Sequence, residues 1–179
     1  KFYACDIDPS SISFLNKYYP TVNAKVNKFN SRLPYTSNFF DFVYSVSTFS
    51  HFDNESIDLY INELSRVLIK NGILIITFEG DNSIESVSNE TSVGVKEIKR
   101  ILKKDGIFFK KYHWLSAYKK SKLFDKTNID TSSYFGDEYG STICTTEYIK
   151  KLIKKKFEFL GHAEAVICDR QDLLVFKKK

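Results

Sequence analysis

The 179-residue chain contains no methionine, only three prolines, seven glycines and one tryptophan. Its three cysteines, Cys5, Cys144 and Cys168, form an odd set without C-x-x-C spacing, which argues against a disulfide framework and against a zinc cluster. His113 and His162 have no metal-ligand spacing with each other or with cysteine, so no metal site is expected. No apolar run approaches the ~20 residues needed to span a bilayer, and Lys1 to Asp8 lack the length and cleavage site of a signal peptide. The default expectation is a cytoplasmic protein. Nucleophile and nucleotide motifs are missing too: there is no G-x-S-x-G, no P-loop and no paired Cys/His arrangement.

What is present is an apolar, aromatic chain, 42% hydrophobic with 16 Phe and 11 Tyr, able to fill the core of one domain. Charge is uneven. Residues 1–90 carry 7 basic and 11 acidic side chains, and residues 91–179 carry 20 and 11. The second half can face an anion, and nucleic acid, anionic lipid and phosphorylated sugar all fit. Its lysines lie in short pairs over several segments, so solvated surface is the first reading and a nucleic-acid partner is not otherwise indicated.

Hydrophobic spacing predicts the elements. Phe2 to Ile7 reads as a strand closed by Asp6-Ile7-Asp8-Pro9, in which Asp8 caps and Pro9 opens a helix carrying Ile12, Leu15 and Tyr19. A weak strand follows at Val22 to Val26, then a polar loop to Asn38. Phe39 to Val46 reads as a buried strand, and Asp53-Asn54-Glu55 as the start of a helix with Ile57, Tyr60, Ile61, Leu64, Val67 and Leu68 on one face. That helix is expected to end at Asn71-Gly72, with Gly72 free to take positive φ, before a strand at Ile73 to Phe78. Asp81 to Ser92 is expected to be a polar, mobile crossover. A helix to Lys104, a turn at Asp105-Gly106, an extended segment from Ile107 to Trp114, a helix capped by Thr145 or Thr146, and a hairpin of Phe157 to Ile167 and Leu173 to Phe176 complete the reading. Alternation of strand and helix over the first 80 residues points to an α/β fold with a mostly parallel, doubly wound sheet and a C-terminal antiparallel hairpin.

The order of segments resembles the class I S-adenosylmethionine-dependent methyltransferase domain from its second strand onward. Asp6-Ile7-Asp8-Pro9 is similar to that family's acidic strand end. Leu33-Pro34-Tyr35 followed by Phe40-Asp41-Phe42-Val43-Tyr44-Ser45 is similar to its L-P-F and F-D-x-V stretches. Glu63-Leu64-Ser65-Arg66-Val67-Leu68-Ile69-Lys70-Asn71-Gly72 is similar to its E-x-x-R-V-L-K-P-G-G helix and turn, with Asn71 in the place of Pro. Val46 to Phe52, Tyr139 to Thr142 and Gln171 to Phe176 are similar to bacterial members associated with glycan and glycosyltransferase systems. The family's first strand and glycine-rich loop have no counterpart in these residues, so the chain is expected to be N-terminally truncated and inactive by itself. The expected organisation is a cofactor side at 1–80, a variable acceptor side at 81–145, and a terminal helix and hairpin at 146–179.

The resemblance implies S-adenosylmethionine as cofactor and a small-molecule or glycan-type methyl acceptor. It implies that Asp6 accepts the ribose hydroxyls, that Ile7 packs on the adenosine, that Asn30 and Ser31 meet the adenine edge, and that Ser45, Val46 and Ser47 flank the methionine portion. Tyr139 and Thr142 are placed in the acceptor pocket on the same ground. His51 has two readings: a general base for a hydroxyl acceptor, or a cap and packing residue beside Asp53. Two competing functions stay open, a non-catalytic methyltransferase-like scaffold and a nicotinamide-dependent oxidoreductase. Tyr118-Lys119-Lys120-Ser121-Lys122 supplies the Tyr-x-x-x-Lys spacing of the latter, in a region whose order does not fit it.

Overall fold

The computed structural model describes residues 1–111 and 139–179. Of these, 1–35 form one compact unit, and 36–111 with 139–179 form another. The Tyr118–Lys122 stretch, and the extended segment beyond Lys111, lie outside the described residues.

The first unit is a strand, a helix and a strand. β1 (Phe2–Asp6) and β2 (Val22–Val26) pair in parallel, with Phe2 opposite Val22 and Asp6 opposite Val26. Between them runs α1 (Pro9–Tyr18). Asp8 starts this helix because its carboxylate accepts from the amides of Ser10 and Ser11 at 2.9 and 3.1 Å, satisfying donors that have no partner inside the helix. Desolvation opposes ionisation of Asp8, yet the hydrogen bonds from Ser11 and Ser10 hold its carboxyl below the ordinary aspartate value. Ile12 and Ala24 are the buried apolar residues of the described part of this unit, and Tyr35 closes it by donating its hydroxyl to the Ala4 carbonyl at 2.6 Å.

The second unit is built on β4 (Leu68–Glu79). β3 (Phe40–Ser45) lies parallel on one side of it, and β8 (Gln171–Lys178) antiparallel on the other. β7 (Phe157–Ile167) extends the sheet beyond β8. β5 (Ile107–Lys111) and β6 (Gly140–Cys144) pair antiparallel, and β6 meets β4 where Ile143 lies opposite Glu79. The sheet is therefore mixed. Leu74, Ile76 and Phe78 on β4 and Leu174 and Phe176 on β8 are at most 1% exposed, which places the core on this central pair.

α2 (Asn54–Val67) packs Ile57, Tyr60, Ile61, Leu64 and Val67 inward, the expected face, and Asp53 caps it by accepting from the Ser56 amide at 2.8 Å. The expected end is corrected. The helix stops at Val67, and Leu68 is already extended opposite Phe40. The left-handed residue of the turn is Asn71, at φ 65°, a conformation asparagine tolerates. Gly72 serves another purpose: a Cβ there would meet the Ile69 carbonyl at 3.0 Å and the Asp41 carbonyl at 3.2 Å, so the glycine permits close backbone approach.

The stretch expected as a mobile crossover is also corrected. Asp81–Ser83 forms a short 3-10 turn leading into α3 (Ile84–Thr91). Ile84 and Val87 sit one turn apart and pack with Ile98 and Leu102 of α4 (Val95–Asp105), Phe108 and Ile143. Two apolar residues at helical spacing outweighed the polar composition around them. Gly106, at φ 76°, ends α4 at the expected turn. α5 (Thr146–Ile153) is capped by Thr145, whose hydroxyl accepts from the Tyr148 amide at 3.2 Å. The strand β6 was not foreseen: its five residues, all buried, include Gly, Ser and Thr and carry little hydrophobic signal.

Candidate functional site

In the first unit, Asp6 ends β1 and is exposed. Its Oδ1 accepts from the Asp8 amide at 2.9 Å, which fixes the carboxylate at the strand-to-helix turn. Its backbone carbonyl accepts from the Asn27 amide at 2.8 Å. A carboxylate fixed this way, with accepting capacity left on an exposed group, can take a pair of vicinal hydroxyls. Ile7 is half-buried beside it. Asn30 takes a left-handed conformation at φ 48°, and the Ser31 hydroxyl donates to the Lys28 carbonyl at 2.6 Å. The Asn30–Ser31 segment is thus a locally hydrogen-bonded turn.

In the second unit, the sequence from Ser45 to His51 leaves the C-terminal end of β3. Ser45 is half-buried and Val46 is 44% exposed. Ser47 turns the chain at φ 55°. Its amide donates to Thr77 Oγ1 at 2.9 Å and its hydroxyl to Gln171 Oε1 at 3.1 Å, while Thr77 donates to the same Gln171 oxygen at 2.7 Å. Ser47 therefore spends its polar groups holding the turn against β4 and β8, leaving Val46 outward.

His51 closes the short 3-10 helix Phe49–His51. Phe49 and Phe52 are buried on either side of it and anchor the segment. Its Nδ1 lies 3.0 Å from the Gly140 carbonyl, and its ring stacks on Tyr139 at 4.5 Å between centroids and 19° between planes. A neutral imidazole in this position must donate from Nδ1, which makes Nε2 the basic nitrogen. Burial lowers the His51 pKa below the ordinary histidine value, against the opposing pull of the Gly140 bond and of Glu79 and Glu90. Gly140 has no room for a side chain: a Cβ would run into the Lys110 carbonyl and the Phe109 ring. Thr142 is only 1% exposed and donates to the Phe52 carbonyl at 2.7 Å. Thr142, expected to line an acceptor pocket, is thus a buried anchor for the His51 segment, and Tyr139 forms the stack.

Sequence reasoning gave no role to the ionic cluster near His51. Glu79 closes β4 at 6% exposure, and the Arg170 guanidinium reaches it at 3.2 Å and Glu90 at 3.2 Å. Burial opposes the charge on Arg170, but the two carboxylates raise its pKa. The Ser141 hydroxyl donates to Glu90 at 3.2 Å, and the Ser83 hydroxyl to the Arg170 carbonyl at 2.9 Å. Two carboxylates against one guanidinium leave an excess of negative charge near the imidazole. The available signal was Glu79 itself, an acid immediately following the apolar run Ile73 to Phe78.

A family described as a methyltransferase domain matches residues 1–76. No curated protein matches the chain. Among solved structures, an S-adenosylmethionine-dependent methyltransferase from Methanosarcina mazei is similar over 98% of this chain and 81% of its own, at 16% identity and TM-score 0.63. One from Mesorhizobium loti is similar over 98% and 79%, at 9% identity and TM-score 0.64. A 1,6-didemethyltoxoflavin-N1-methyltransferase from Burkholderia thailandensis, with bound 1,6-didemethyltoxoflavin and S-adenosylhomocysteine, is similar over 99% and 60%, at 9% identity and TM-score 0.61. The chain has the Rossmann-like α/β fold of these methyltransferases, and its first 76 residues carry the sequence pattern of a methyltransferase domain.

Proposed function

We propose that this chain is the greater part of a class I S-adenosylmethionine-dependent methyltransferase acting on a small-molecule or glycan-type acceptor. The observation that carries the reading is Asp6, an exposed carboxylate fixed by the Asp8 amide at the end of β1, inside the matched segment. It suits the ribose diol of the cofactor, with Ile7 against the adenosine and the Asn30–Ser31 turn toward the adenine edge. In the second unit, taken by itself, Ser47 holds the turn after β3 in shape and Val46 is exposed beside it. The 1,6-didemethyltoxoflavin bound to the Burkholderia enzyme supports a small-molecule acceptor by analogy.

The cofactor supplies an electrophilic methyl group on sulfonium. The chain's own residues have two tasks, alignment and proton removal. His51, held through Nδ1 by Gly140 and kept neutral by burial, accepts the acceptor's proton at Nε2. Tyr139 fixes the plane of its ring. The Glu79–Arg170–Glu90 cluster stabilises the imidazolium that results, since its net charge is negative.

Among the described residues β1 pairs only with β2, and β3 has its ladder only with β4. On this reading the family's glycine-rich loop, which has no counterpart among these 179 residues, is needed for tight binding, and the chain alone binds cofactor weakly. The test is calorimetric titration with S-adenosylhomocysteine on this chain and on the complete translation product. Binding by the complete product is expected, weakened at least about tenfold by Asp6→Ala, the loss of a charge-assisted hydrogen-bonded pair. Unchanged affinity in that variant, or no binding by the complete product, overturns the reading.

A further inference from the structure

The corner where α5 meets β7 and the end of β8 lies away from Glu79, because β8 runs antiparallel to β4, with Gln171 opposite Glu79 and Lys177 opposite Ile73. There the chain concentrates lysine. Lys150, Lys151, Lys154, Lys155 and Lys156 follow one another on α5 and its exit, and Lys177 and Lys178 end β8 with Lys179 after them. Only some of these charges are committed. Lys150 pairs with Glu147 at 2.9 Å, Lys177 approaches Glu158 at 3.9 Å, and Lys178 donates to the Leu68 carbonyl at 2.7 Å. Lys151, Lys154, Lys155 and Lys156 are exposed, and among the described residues none has an acidic partner within ion-pair distance.

An apolar surface lies among these cations. A cleft of about 450 Å³ is bordered by Lys150, Lys151 and Lys154 over Phe157, Phe159 and Phe176. Phe159 is 39% exposed and its neighbour Leu160 is 49% exposed. Consecutive strand residues ordinarily point to opposite faces, but the ladder shifts register between Phe159 and Gly161, opposite Phe176 and Val175. Leu160 is the extra residue of that shift, between the two paired positions.

We propose that this corner is a docking surface for an anionic membrane leaflet. The unpaired ammonium groups meet the lipid phosphates and carboxylates, while Phe159 and Leu160 enter the headgroup boundary. No described helix is long and apolar enough to cross a membrane, so the association is peripheral. The same cations would attract a nucleic acid, but the rings are poorly placed for base stacking. Phe157 and Phe176 are 2% and 0% exposed, and the Lys150 ammonium sits 4.3 Å from the Phe159 centroid. An apolar side chain beside a compact lysine cluster suits a lipid boundary better than a phosphate track.

The proposal does not depend on the cofactor reading, and its test involves no cofactor. The full chain is sedimented with vesicles of neutral phosphatidylcholine and with vesicles containing about 30 mol% phosphatidylserine, at ionic strengths where the Debye length falls from about 10 Å to a few ångströms. Binding to the anionic vesicles alone, weakened by salt, is expected. Lys151→Glu, Lys154→Glu and Lys155→Glu together should lower the partition coefficient by more than about 100-fold, from about fivefold per lysine. Leu160→Ser should lower it severalfold without changing the melting temperature. Equal binding to both vesicle types, partition unchanged in the triple variant, or displacement of the vesicles by a single-stranded RNA bound more tightly overturns the proposal.

Discussion

The two units are held together by different means. In the described part of the first, Ile12 and Ala24 are the only buried apolar side chains, and order comes from hydrogen bonds at the Asp8 cap, the β1–β2 ladder and Tyr35. The second buries a continuous set of large side chains, among them Phe49, Phe78, Phe157 and Phe176, each at most 2% exposed. The proposed ribose-binding carboxylate sits on the lightly packed unit and the proposed base on the heavily packed one. A ligand that binds Asp6 therefore has most to add to the stability of the first unit, since binding to the folded form alone is itself stabilising.

The largest expected effect sharpens this contrast. Ile98 is 0% exposed within the Ile84, Val87, Leu102, Phe108 and Ile143 cluster, and Ile98→Ala should cost about 2–5 kcal/mol. Ile12→Ala removes the same atoms from a site with far fewer buried neighbours, and should cost no more than about half as much. Chemical denaturation of both variants measures the difference. Equal losses would show that Ile12 is packed as tightly as Ile98.

Much of this contrast was legible in the sequence, and unevenly so. The first unit could be read almost residue by residue, because Asp8, Pro9 and the run Phe2 to Asp6 are local signals whose physics is complete within a few positions. α2 was legible for the same reason up to its end, where the helix yielded to pairing of Leu68 with Phe40, a partner distant in sequence. α3 and β6 were not foreseen, since Ile84, Val87 and Ile143 gain their meaning only from one another. The candidate site follows the same rule. Asp6 and His51 stood out by position and residue type, whereas the Ser47–Thr77–Gln171 network and the Glu79–Arg170–Glu90 cluster join residues up to 124 positions apart. Thr142 illustrates the converse: a resemblance placed it in a pocket, and a buried hydrogen bond to Phe52 gives it a different task.

A second prediction concerns pH in the heavily packed unit. Burial depresses the His51 pKa in the folded chain, so between that value and about 6.5 the unfolded chain binds the extra proton. The contribution of His51 is thus fully present above about 6.5 and is lost as pH falls through the depressed value. Melting temperature should drop across this window in the parent and drop less in His51→Gln, which keeps a polar side chain at the position. Parallel curves would mean that the imidazole is as easily protonated folded as unfolded, so that burial does not favour its neutral form.

The smallest effect is expected in the lightly packed unit. Asp8→Ala leaves the Ser10 and Ser11 amides without their acceptor and should cost about 1 kcal/mol, whereas Asp8→Asn, still an effective cap, should recover most of that loss near pH 7. The hydrogen bonds lower the folded pKa of Asp8, so its stabilisation is present above the unfolded value of about 3.9 and disappears as pH falls through the folded one. Because the Asp8 amide also holds Asp6 Oδ1, the two variants separate cap from site. Both keep that backbone donor, so S-adenosylhomocysteine affinity of the complete protein should change less in either than in Asp6→Ala. A loss in Asp8→Ala as large as in Asp6→Ala would mean that the turn itself, and not the carboxylate it fixes, is what the ligand needs.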